Sequence, residues 1–362
     1  MTTLKKKTTF TTDLNADSIE WCPIDNYHDL FVCGTYQLAE VDENFKSDTA
    51  TEKRVGYLYL FKFSHLFDGL LKVLQKLSMP GILDCKWCHV KLENNIYLAL
   101  VNAVGELRIL LLVENEDEVH LKEVYRKKLT SDDETLLLSL DWSTGITNFT
   151  VKIVVSSSSG HVTIVSFKDE IFYEDNTWNI HDFEAWIVAF NYWNINSFYS
   201  GGDDCKLKCF DIRVGQVIST NTSHSAGVTS LHMNFKKEYV LISGSYDENL
   251  LFWDVRNMKR PRNQINLGGG VWRLKWEPKT CHKICASCMY FGSVVIDAID
   301  EKIIALYKEH ESINYGIDWS YISEEKIDSF FNIENNISIY NYNIITVCSF
   351  YDNLISLALL ES

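Results

Sequence analysis

The sequence is short of positive charge. Its 362 residues include 34 lysines and arginines against 49 aspartates and glutamates, which gives a net charge of -15. Nucleic acids and anionic membranes are bound through clusters of lysine and arginine, so neither is expected as a partner. The excess of negative charge suits a protein free in solution and leaves room for a partner with a basic surface.

The sequence also lacks a long apolar run. No stretch approaches the roughly 20 apolar residues that cross a bilayer, and the basic cluster Lys5–Lys7 precedes no apolar segment of signal-peptide length. Ten cysteines are scattered through the chain. Without a secretory signal they are interpreted as reduced thiols that serve as small core residues. A cytoplasmic protein is therefore expected.

The motifs of common hydrolases and nucleotide-binding proteins are missing. No G-x-S-x-G sequence occurs, which argues against an α/β-hydrolase. The triple glycine Gly268–Gly270 is followed by Val271 and Trp272, so a tight turn between repeats is favoured over a phosphate-binding loop. No cofactor is expected.

Two groups of cysteines have spacings that resemble zinc motifs. They are Cys85-x-x-Cys88 followed by His89, and the segment Cys281–Cys288. Structural zinc needs four ligands that converge from turns. Cys85 and Cys88 instead flank Trp87 on a predicted strand, where their side chains point to opposite faces. No metal site is expected.

What the chain does contain is an internal repeat with an offset of 43 residues. Tyr199–Arg213 reads YSGGDDCKLKCFDIR, and Ile242–Arg256 reads ISGSYDENLLFWDVR. In both copies a histidine precedes the aspartate of the turn by 23 residues. A period of about 40–45 residues, with a histidine and then an apolar strand ending in Trp-Asp, is typical of a WD-repeat β-propeller.

One aromatic or apolar position of the innermost strand can be followed along the chain and gives the number of blades. It is occupied by Trp21, Trp87, Trp142, Phe190, Met233, Trp276 and Trp319. The sequence therefore predicts an all-β fold, a seven-bladed WD-repeat β-propeller. We expect one domain over residues 1–362, with loop insertions near 40–54 and 324–342. The segment Thr8–Leu14 is expected to close the ring by pairing with the last blade.

The repeated histidine, serine and aspartate could be taken for a catalytic triad. In the fifth blade, however, His224, Ser243, Asp247 and Trp253 fit the hydrogen-bonded tetrad that locks a WD blade. The fourth blade repeats the first three of these residues at the same spacing and ends in a phenylalanine, which cannot donate. Because the spacing recurs in two blades, a structural role is favoured.

A second repeated position marks a candidate binding site at the start of the innermost strands. Trp186, Trp272 and Tyr315 occupy it in blades four, six and seven, and Thr229 in blade five. In a propeller, the starts of the innermost strands line the mouth of the central channel. The aromatics either pack between blades or form a ligand pocket with aromatic walls and a few charges. Their polar neighbours are Glu184, Arg273, Asn314 and Asp318, while Asp203, Tyr246 and Tyr351 share another position on the same face.

Several segments resemble one particular family. They include HDFEAWIVAFNYW at 181–193, GSYDENLLFWDVRNMKRP at 244–261, GGGVWRLKWEP at 268–278, NYGIDWS at 314–320 and CSFYD at 348–352. These segments are similar to the diphthine methyl ester hydrolase family, also named diphthine methyltransferase, of the diphthamide pathway. The likeness is strong from about His181 to Asp352.

The resemblance implies an enzyme that removes the methyl ester from over-methylated diphthine, a modified histidine of elongation factor 2. The product carboxylate would then be amidated by other proteins. Elongation factor 2 carrying methylated diphthine is thus the implied partner, and the chain is expected to act on it as a monomer. No hydrolase motif in the sequence supplies the nucleophile that this reaction needs.

Diphthine carries a trimethylammonium group, which aromatic rings beside a carboxylate, here Glu184, Asp203 or Asp318, can bind. We expect the channel mouth to bind the substrate and to carry the catalytic groups. Arg273 would hold the ester carbonyl or the product carboxylate, and Asp203 or Asp318, before Glu184, would activate water. The remaining substrate-binding residues are Glu184, Trp186, Trp272 and Tyr315.

Two alternative functions would use the same fold and the same aromatic residues but catalyse no reaction. WD propellers are more often platforms than enzymes, and a fold alone gives no function. The chain could be a non-catalytic scaffold that presents the elongation factor or recruits another enzyme. It could also read a modified lysine or a methylated arginine with the same aromatic cage.

Overall fold

The computed structural model describes residues 4–39, 54–67, 69–116, 118–146, 150–331 and 342–361. Within these ranges the backbone forms seven antiparallel sheets, and the innermost strands of consecutive sheets contact one another around a closed ring. The innermost strand of the last sheet contacts that of the first. The predicted seven-bladed β-propeller is therefore confirmed.

The strands are numbered in chain order and grouped by blade. The first, β1 (Leu4–Thr11), belongs to the last blade. Blade one contains β2 (Ala16–Trp21), β3 (Leu30–Thr35), the short β4 (Gln37–Leu38), β5 (Arg54–Phe63) and β6 (Leu71–Pro80). Blade two contains β7 (Ile82–Trp87), β8 (Tyr97–Asn102), β9 (Glu106–Glu114) and β10 (Val119–Lys128). Blade three contains β11 (Leu137–Trp142), β12 (Val151–Ser157), β13 (His161–Lys168) and β14 (Ile171–Asn179), with a 3-10 turn at Ser143–Gly145.

The second half of the ring is more regular. Blade four contains β15 (Ile187–Phe190), β16 (Ser197–Gly201), β17 (Leu207–Asp211) and β18 (Gln216–Asn221). Blade five contains β19 (Val228–Met233), β20 (Val240–Ser245), β21 (Asn249–Asp254) and β22 (Asn263–Asn266). Blade six contains β23 (Arg273–Trp276), β24 (Lys283–Ser287), β25 (Ser293–Asp297) and β26 (Lys302–Tyr307). Blade seven contains β27 (Asn314–Trp319), β28 (Tyr342–Ser349) and β29 (Leu354–Glu361).

The N-terminal strand closes the ring. β1 pairs antiparallel with β29, from Leu4 opposite Leu360 to Thr11 opposite Leu354. This confirms the predicted closure, although the strand begins at Leu4 and has ended before Leu14. Pairing the last blade with the start of the chain covers a sheet edge that would otherwise be free.

The two expected insertions lie mostly outside the described residues. Residues 40–53 and 332–341 are not among them. The second insertion begins with a short helix, α1 (Glu324–Phe330), whose first turn carries Glu324 and Glu325. Negative charge there interacts favourably with the helix N-terminus. Among the described residues, no helix has the length and apolar character needed to cross a bilayer.

The backbone of the turn after the second strand explains why glycine recurs at this point of the repeat. Blades two, three and six place a glycine with positive φ here, and blades four, five and seven place another residue with positive φ in the same turn. Only glycine adopts this conformation without strain, and asparagine comes next. The six residues are Gly105, Gly160, Gly292, Cys205, Glu248 and Asn353.

The tetrad of blade five has the predicted geometry. His224 donates from Nδ1 to Asp247 Oδ2 at 2.9 Å, and its Nε2 accepts from Ser243 Oγ at 2.7 Å. Trp253 donates from Nε1 to the same serine oxygen at 2.8 Å. The histidine is 4% exposed. A buried and fully paired network of this kind stabilises the blade rather than supplying a nucleophile.

Blade seven has a histidine that sequence spacing missed. His310 lies nine residues before Trp319, as His224 lies nine before Met233. Its Nε2 accepts from Ser356 Oγ at 2.6 Å, and its Nδ1 donates to Asn314 Oδ1 at 3.1 Å. The inserted segment between β27 and β28 lengthens the interval to the turn aspartate, so the 23-residue spacing is lost.

In five of the seven blades, a tryptophan indole forms a hydrogen bond to the preceding blade of the ring. In blades two, three, six and seven, the tryptophan at the end of the innermost strand donates to a backbone carbonyl of the preceding blade. Examples are Trp142 Nε1 to Lys86 O at 2.9 Å and Trp319 Nε1 to Lys275 O at 3.0 Å. Trp21 of blade one donates instead to the Thr346 hydroxyl of blade seven. Blades four and five, which carry the histidine–serine–aspartate network, have Phe190 and Met233 here and cannot make this bond.

Candidate active site

One residue at the start of each innermost strand lies at the channel mouth, and in five blades a β-bulge places it there. This residue lies four positions before the blade aromatic. Strand pairing skips it in blades one, two, three, five and seven, and in blades four and six it immediately precedes the strand. Bulges commonly redirect a side chain in this way. The ring reads Asp17, Leu83, Leu138, Trp186, Thr229, Trp272 and Tyr315.

The predicted aromatic residues come together at this mouth. The ring centroids of Trp186 and Trp272 are 5.7 Å apart, and those of Trp272 and Tyr315 are 4.8 Å apart in a stacked arrangement. Tyr246 joins them, 5.9 Å from Trp272. All four side chains are half-buried. The rings therefore pack on one another and still expose part of their surface at the mouth.

The predicted acidic residues of blade four lie beside this wall. Trp186 donates from Nε1 to Asp203 Oδ1 at 3.0 Å, and the Asp203 amide donates to the Glu184 carbonyl at 2.9 Å. Burial, and then the Asp203 and Glu184 carboxylates, raise the pKa of Tyr246. A Cβ on Gly227 would lie 2.7 Å from Asp203 Oδ1, so a side chain at position 227 would displace this carboxylate.

Arg273 lies beneath the aromatic wall and is buried. Its Nη2 is 3.4 Å from Asp84 Oδ1 of blade two, on the other side of the channel. Burial opposes a charge here, but the Asp84 and Asp17 carboxylates raise the pKa of Arg273. The guanidinium is thus a fixed positive charge. It lines the mouth together with Trp186 and Trp272, and it also lines a cavity further down the channel.

Asp318 shares a cavity with Arg273 but is not brought together with the predicted residues of the aromatic mouth. It faces the lower cavity of about 200 Å³, which lies beyond Arg273 and is lined by charged side chains. Its Oδ2 accepts from the Trp21 amide at 2.8 Å. Asp141 makes the equivalent bond to the Phe190 amide at 2.8 Å. Since the innermost strand has free amides at its edge, both aspartates have an evident structural role between neighbouring blades.

Burial shifts the titration of these channel carboxylates. It raises the pKa of Asp141 to about 7, against the opposing charge of Lys86. It also raises the pKa of Asp318, which Lys275 opposes and Glu20 reinforces. The lower cavity therefore holds acids that change protonation near neutral pH. The acidic and basic side chains that line it are those of Glu20, Lys86, Asp141, Arg273, Lys275 and Asp318.

Sequence reasoning missed Asp17. It occupies the blade-one position of the mouth ring, four residues before Trp21, and is 3% exposed. The same alignment that identified Trp186, Trp272 and Tyr315 would have found it if extended back to the first blade. The irregular spacing of the early blades, caused by the insertion after β4, hides this equivalence.

Cys85 and Cys88, the first pair with zinc-like spacing, contact different side chains. Cys85 Sγ lies 3.4 Å from Ser18 Oγ, and Cys88 Sγ lies 3.4 Å from Thr144 Oγ1. All ten cysteines fall in the described ranges and have free thiols. In those ranges no three side chains of histidine, cysteine, aspartate or glutamate are grouped as metal ligands would be.

The fold and the blade tetrads define the chain as a WD-repeat β-propeller. No family model matches it. It is 40% identical to mouse diphthine methyltransferase over 327 residues, which cover 86% of this chain and 68% of that protein. It is 37% identical to the human diphthine methyltransferase over 338 residues, or 87% of this chain and 74% of that protein. A Dictyostelium discoideum diphthine methyltransferase homolog is 33% identical over 397 residues, with 99% of both chains covered. The chain belongs to the diphthine methyltransferase family.

Proposed function

We propose that this chain hydrolyses the methyl ester of methylated diphthine on elongation factor 2. The reaction leaves the diphthine carboxylate for later amidation to diphthamide and releases methanol. Membership of the diphthine methyltransferase family gives the chain a role in the diphthamide pathway. The observation that carries the proposal is the channel mouth, where aromatic rings from separate blades converge beside carboxylates.

The mouth suits the trimethylammonium group of diphthine. That group is a permanent cation without an N–H, so ring faces and negative charge bind it rather than hydrogen bonds. Trp186, Trp272 and Tyr315 would supply the rings, with Glu184 and Asp203 at the rim. The neighbouring ester group would then lie toward Arg273 at the floor of the mouth.

Ester hydrolysis also needs a base and a partner for the developing oxyanion. Asp203 would accept a proton from water as the water oxygen attacks the carbonyl carbon. The Arg273 guanidinium would stabilise the negative charge on the carbonyl oxygen. The bond to the methoxy oxygen then breaks, and that oxygen leaves as methanol with the proton from Asp203. Asp318 is the second candidate base, and it would act only on an ester that passed Arg273.

The partner in this proposal is elongation factor 2 carrying methylated diphthine, bound by a monomer of this chain in the cytoplasm. Three exposed aromatic side chains on loops of blades four, six and seven would contact the protein surface around the modified histidine. They are Phe183 at 61% exposure, Tyr290 at 78% and Tyr351 at 67%. The free thiols fit a reducing compartment.

An isotope experiment distinguishes this reaction from methyl transfer, the activity that the names of the relatives describe. The purified chain is incubated with the methylated substrate in water enriched in oxygen-18. Attack of water on the carbonyl carbon puts the label in the product carboxylate. Label in methanol instead would show attack on the methyl group, and no turnover by the chain alone would favour the non-catalytic scaffold or the reader of modified lysine or arginine.

A further inference from the structure

We propose that Asp17 is the carboxylate that pairs with the cationic group of the ligand at the channel mouth. This inference rests on the proposed function, because the cation is the trimethylammonium group of diphthine. It differs from the sequence-based expectation, which assigned the negative charge to Glu184, Asp203 or Asp318. Asp17 holds the blade-one position of the same mouth ring as the aromatic wall, and its backbone lies beside Gly316, the residue after Tyr315, at the junction of blades seven and one.

The hydrogen bonding of Asp17 sets it apart from the other acids of the channel. Asp84, Asp141 and Asp318 each accept a backbone amide of the next blade, and Asp203 accepts the Trp186 indole. The Asp17 carboxylate has no hydrogen-bond partner among the described residues, although it is 3% exposed. Neither Asp17 oxygen counts among the described atoms that are both fully buried and unpaired, and a cationic ligand that reached this carboxylate would supply the partner charge that it lacks.

The charge around Asp17 supports the same role. Burial raises the pKa of Asp17 to about 8, Arg273 opposes this shift and Asp84 adds to it. Arg273 has its ion pair with Asp84 rather than with Asp17. Burial is the largest cause of the raised pKa of Tyr315, and the Asp17 carboxylate is the second. The Asp17 charge therefore acts on the aromatic wall. A permanent cation at this wall would favour the ionised form of Asp17, so binding releases a proton.

The test uses a cation and its uncharged analogue of the same shape. Choline carries a trimethylammonium group, and 3,3-dimethylbutan-1-ol replaces its nitrogen by carbon. Binding to the wild type, Asp17→Asn and Asp25→Asn is followed by tryptophan fluorescence at pH 8.5. Asp25 is a matched control, since its side chain is 96% exposed in the same blade and the substitution removes the same charge.

We expect Asp17→Asn to weaken choline binding at least about tenfold and to leave binding of the alcohol unchanged. The control should match the wild type for both ligands. Equal affinities of wild type and Asp17→Asn for choline would overturn the proposal, as would an equal loss for both ligands. The second result would mean that the substitution disturbs the mouth itself.

A measurement on the wild type keeps the proposal testable if Asp17→Asn does not fold. Calorimetry of choline binding at pH 7 in buffers of different ionisation enthalpy reports the protons released. A release approaching one proton supports Asp17, and no release contradicts it. If choline binds in this way but no methanol forms from the methylated substrate, the hydrolase proposal fails while the role of Asp17 stands. If methanol forms but choline binding does not depend on Asp17, the role of Asp17 fails while the hydrolase proposal stands.

Discussion

The Arg273 guanidinium of blade six reaches across the channel to the Asp84 carboxylate of blade two, with Nη2 3.4 Å from Oδ1. Arg273 lines both the aromatic mouth and the charged cavity of about 200 Å³ below it. Asp84 also accepts from the Ser139 hydroxyl at 2.9 Å. The guanidinium is therefore held in place before any ligand arrives, as a group that stabilises a developing charge needs to be.

Removing Arg273 should affect both catalysis and stability. Arg273→Ala should lower kcat for ester hydrolysis by about 10²–10³-fold, the usual effect of losing an oxyanion partner. It should also lower the free energy of unfolding by about 1–3 kcal/mol, because Asp84 loses this buried ion pair but keeps Lys86 Nζ at 3.1 Å and the Ser139 hydroxyl at 2.9 Å. Steady-state kinetics and denaturant unfolding measure the two effects.

A double variant separates these two contributions. Combining Arg273→Met with Asp84→Asn removes both charges of this pair, so part of the lost stability should return while kcat stays low; the recovery is limited because Lys86 loses its ion pair with Asp84. Recovery of kcat together with stability would show that Arg273 acts only on the fold.

The face of Trp272 should matter more than its indole nitrogen. Trp272→Ala removes a ring of the mouth and should raise KM about 5–30-fold without unfolding the protein. Trp272→Phe keeps an aromatic face and loses only an N–H that has no partner among the described residues. It should therefore change KM far less. Equal KM values for the alanine variant and the wild type would move the binding site away from this mouth.

The tetrad of blade five should support stability alone. His224→Ala should cost about 1–3 kcal/mol of unfolding free energy and leave kcat/KM unchanged. Burial opposes ionisation of Asp247, but the hydrogen bond from His224 lowers the pKa of Asp247 to about 2. The stability that this aspartate contributes is present above its ordinary pKa of 3.8 and is lost as the pH falls toward 2.

The matching measurement compares unfolding of wild type and Asp247→Asn between pH 2 and 5. The asparagine variant should lose less stability over this interval. A stable variant with no hydrolysis would instead identify the tetrad as catalytic.

Ionisation of the Asp17 side chain should lower the stability of the fold as the pH rises. Because burial raises the pKa of Asp17 to about 8, its protonated form is favoured in the folded state. Its contribution is full below the ordinary pKa of 3.8 and is lost progressively as the pH rises toward 8. Asp17→Asn should therefore gain Tm relative to the wild type as the pH increases from 4 to 8.5. A flat difference for Asp17→Asn would mean that this carboxyl is not the buried acid described.

The repeat made the architecture predictable. A fixed period places equivalent residues at equivalent places in each blade, so the seven aromatic positions gave the blade number. The same period predicted that Trp186, Trp272 and Tyr315 would meet at one mouth. Equivalent positions can be identified from the spacing along the chain wherever no insertion interrupts a blade.

The remaining features depend on three-dimensional details that spacing does not contain. The irregular early blades hid Asp17, and the segment inserted in blade seven hid His310. Asp318 lies below the mouth because a β-bulge redirects Tyr315, four residues before the blade aromatic, while Asp318 follows the ordinary alternation of the strand. The pair of Arg273 and Asp84 joins blades on opposite sides of the channel, and no local pattern links them.

Methanol release by the purified chain alone is the most direct test of the central claim. The substrate is elongation factor 2 carrying methylated diphthine, with product followed in single-turnover mixtures and by the mass of the modified peptide. The account predicts one methanol for each modified histidine with the wild type, and strongly reduced release with Arg273→Ala and with Asp203→Asn. Unchanged substrate after prolonged incubation with folded wild-type protein would contradict it.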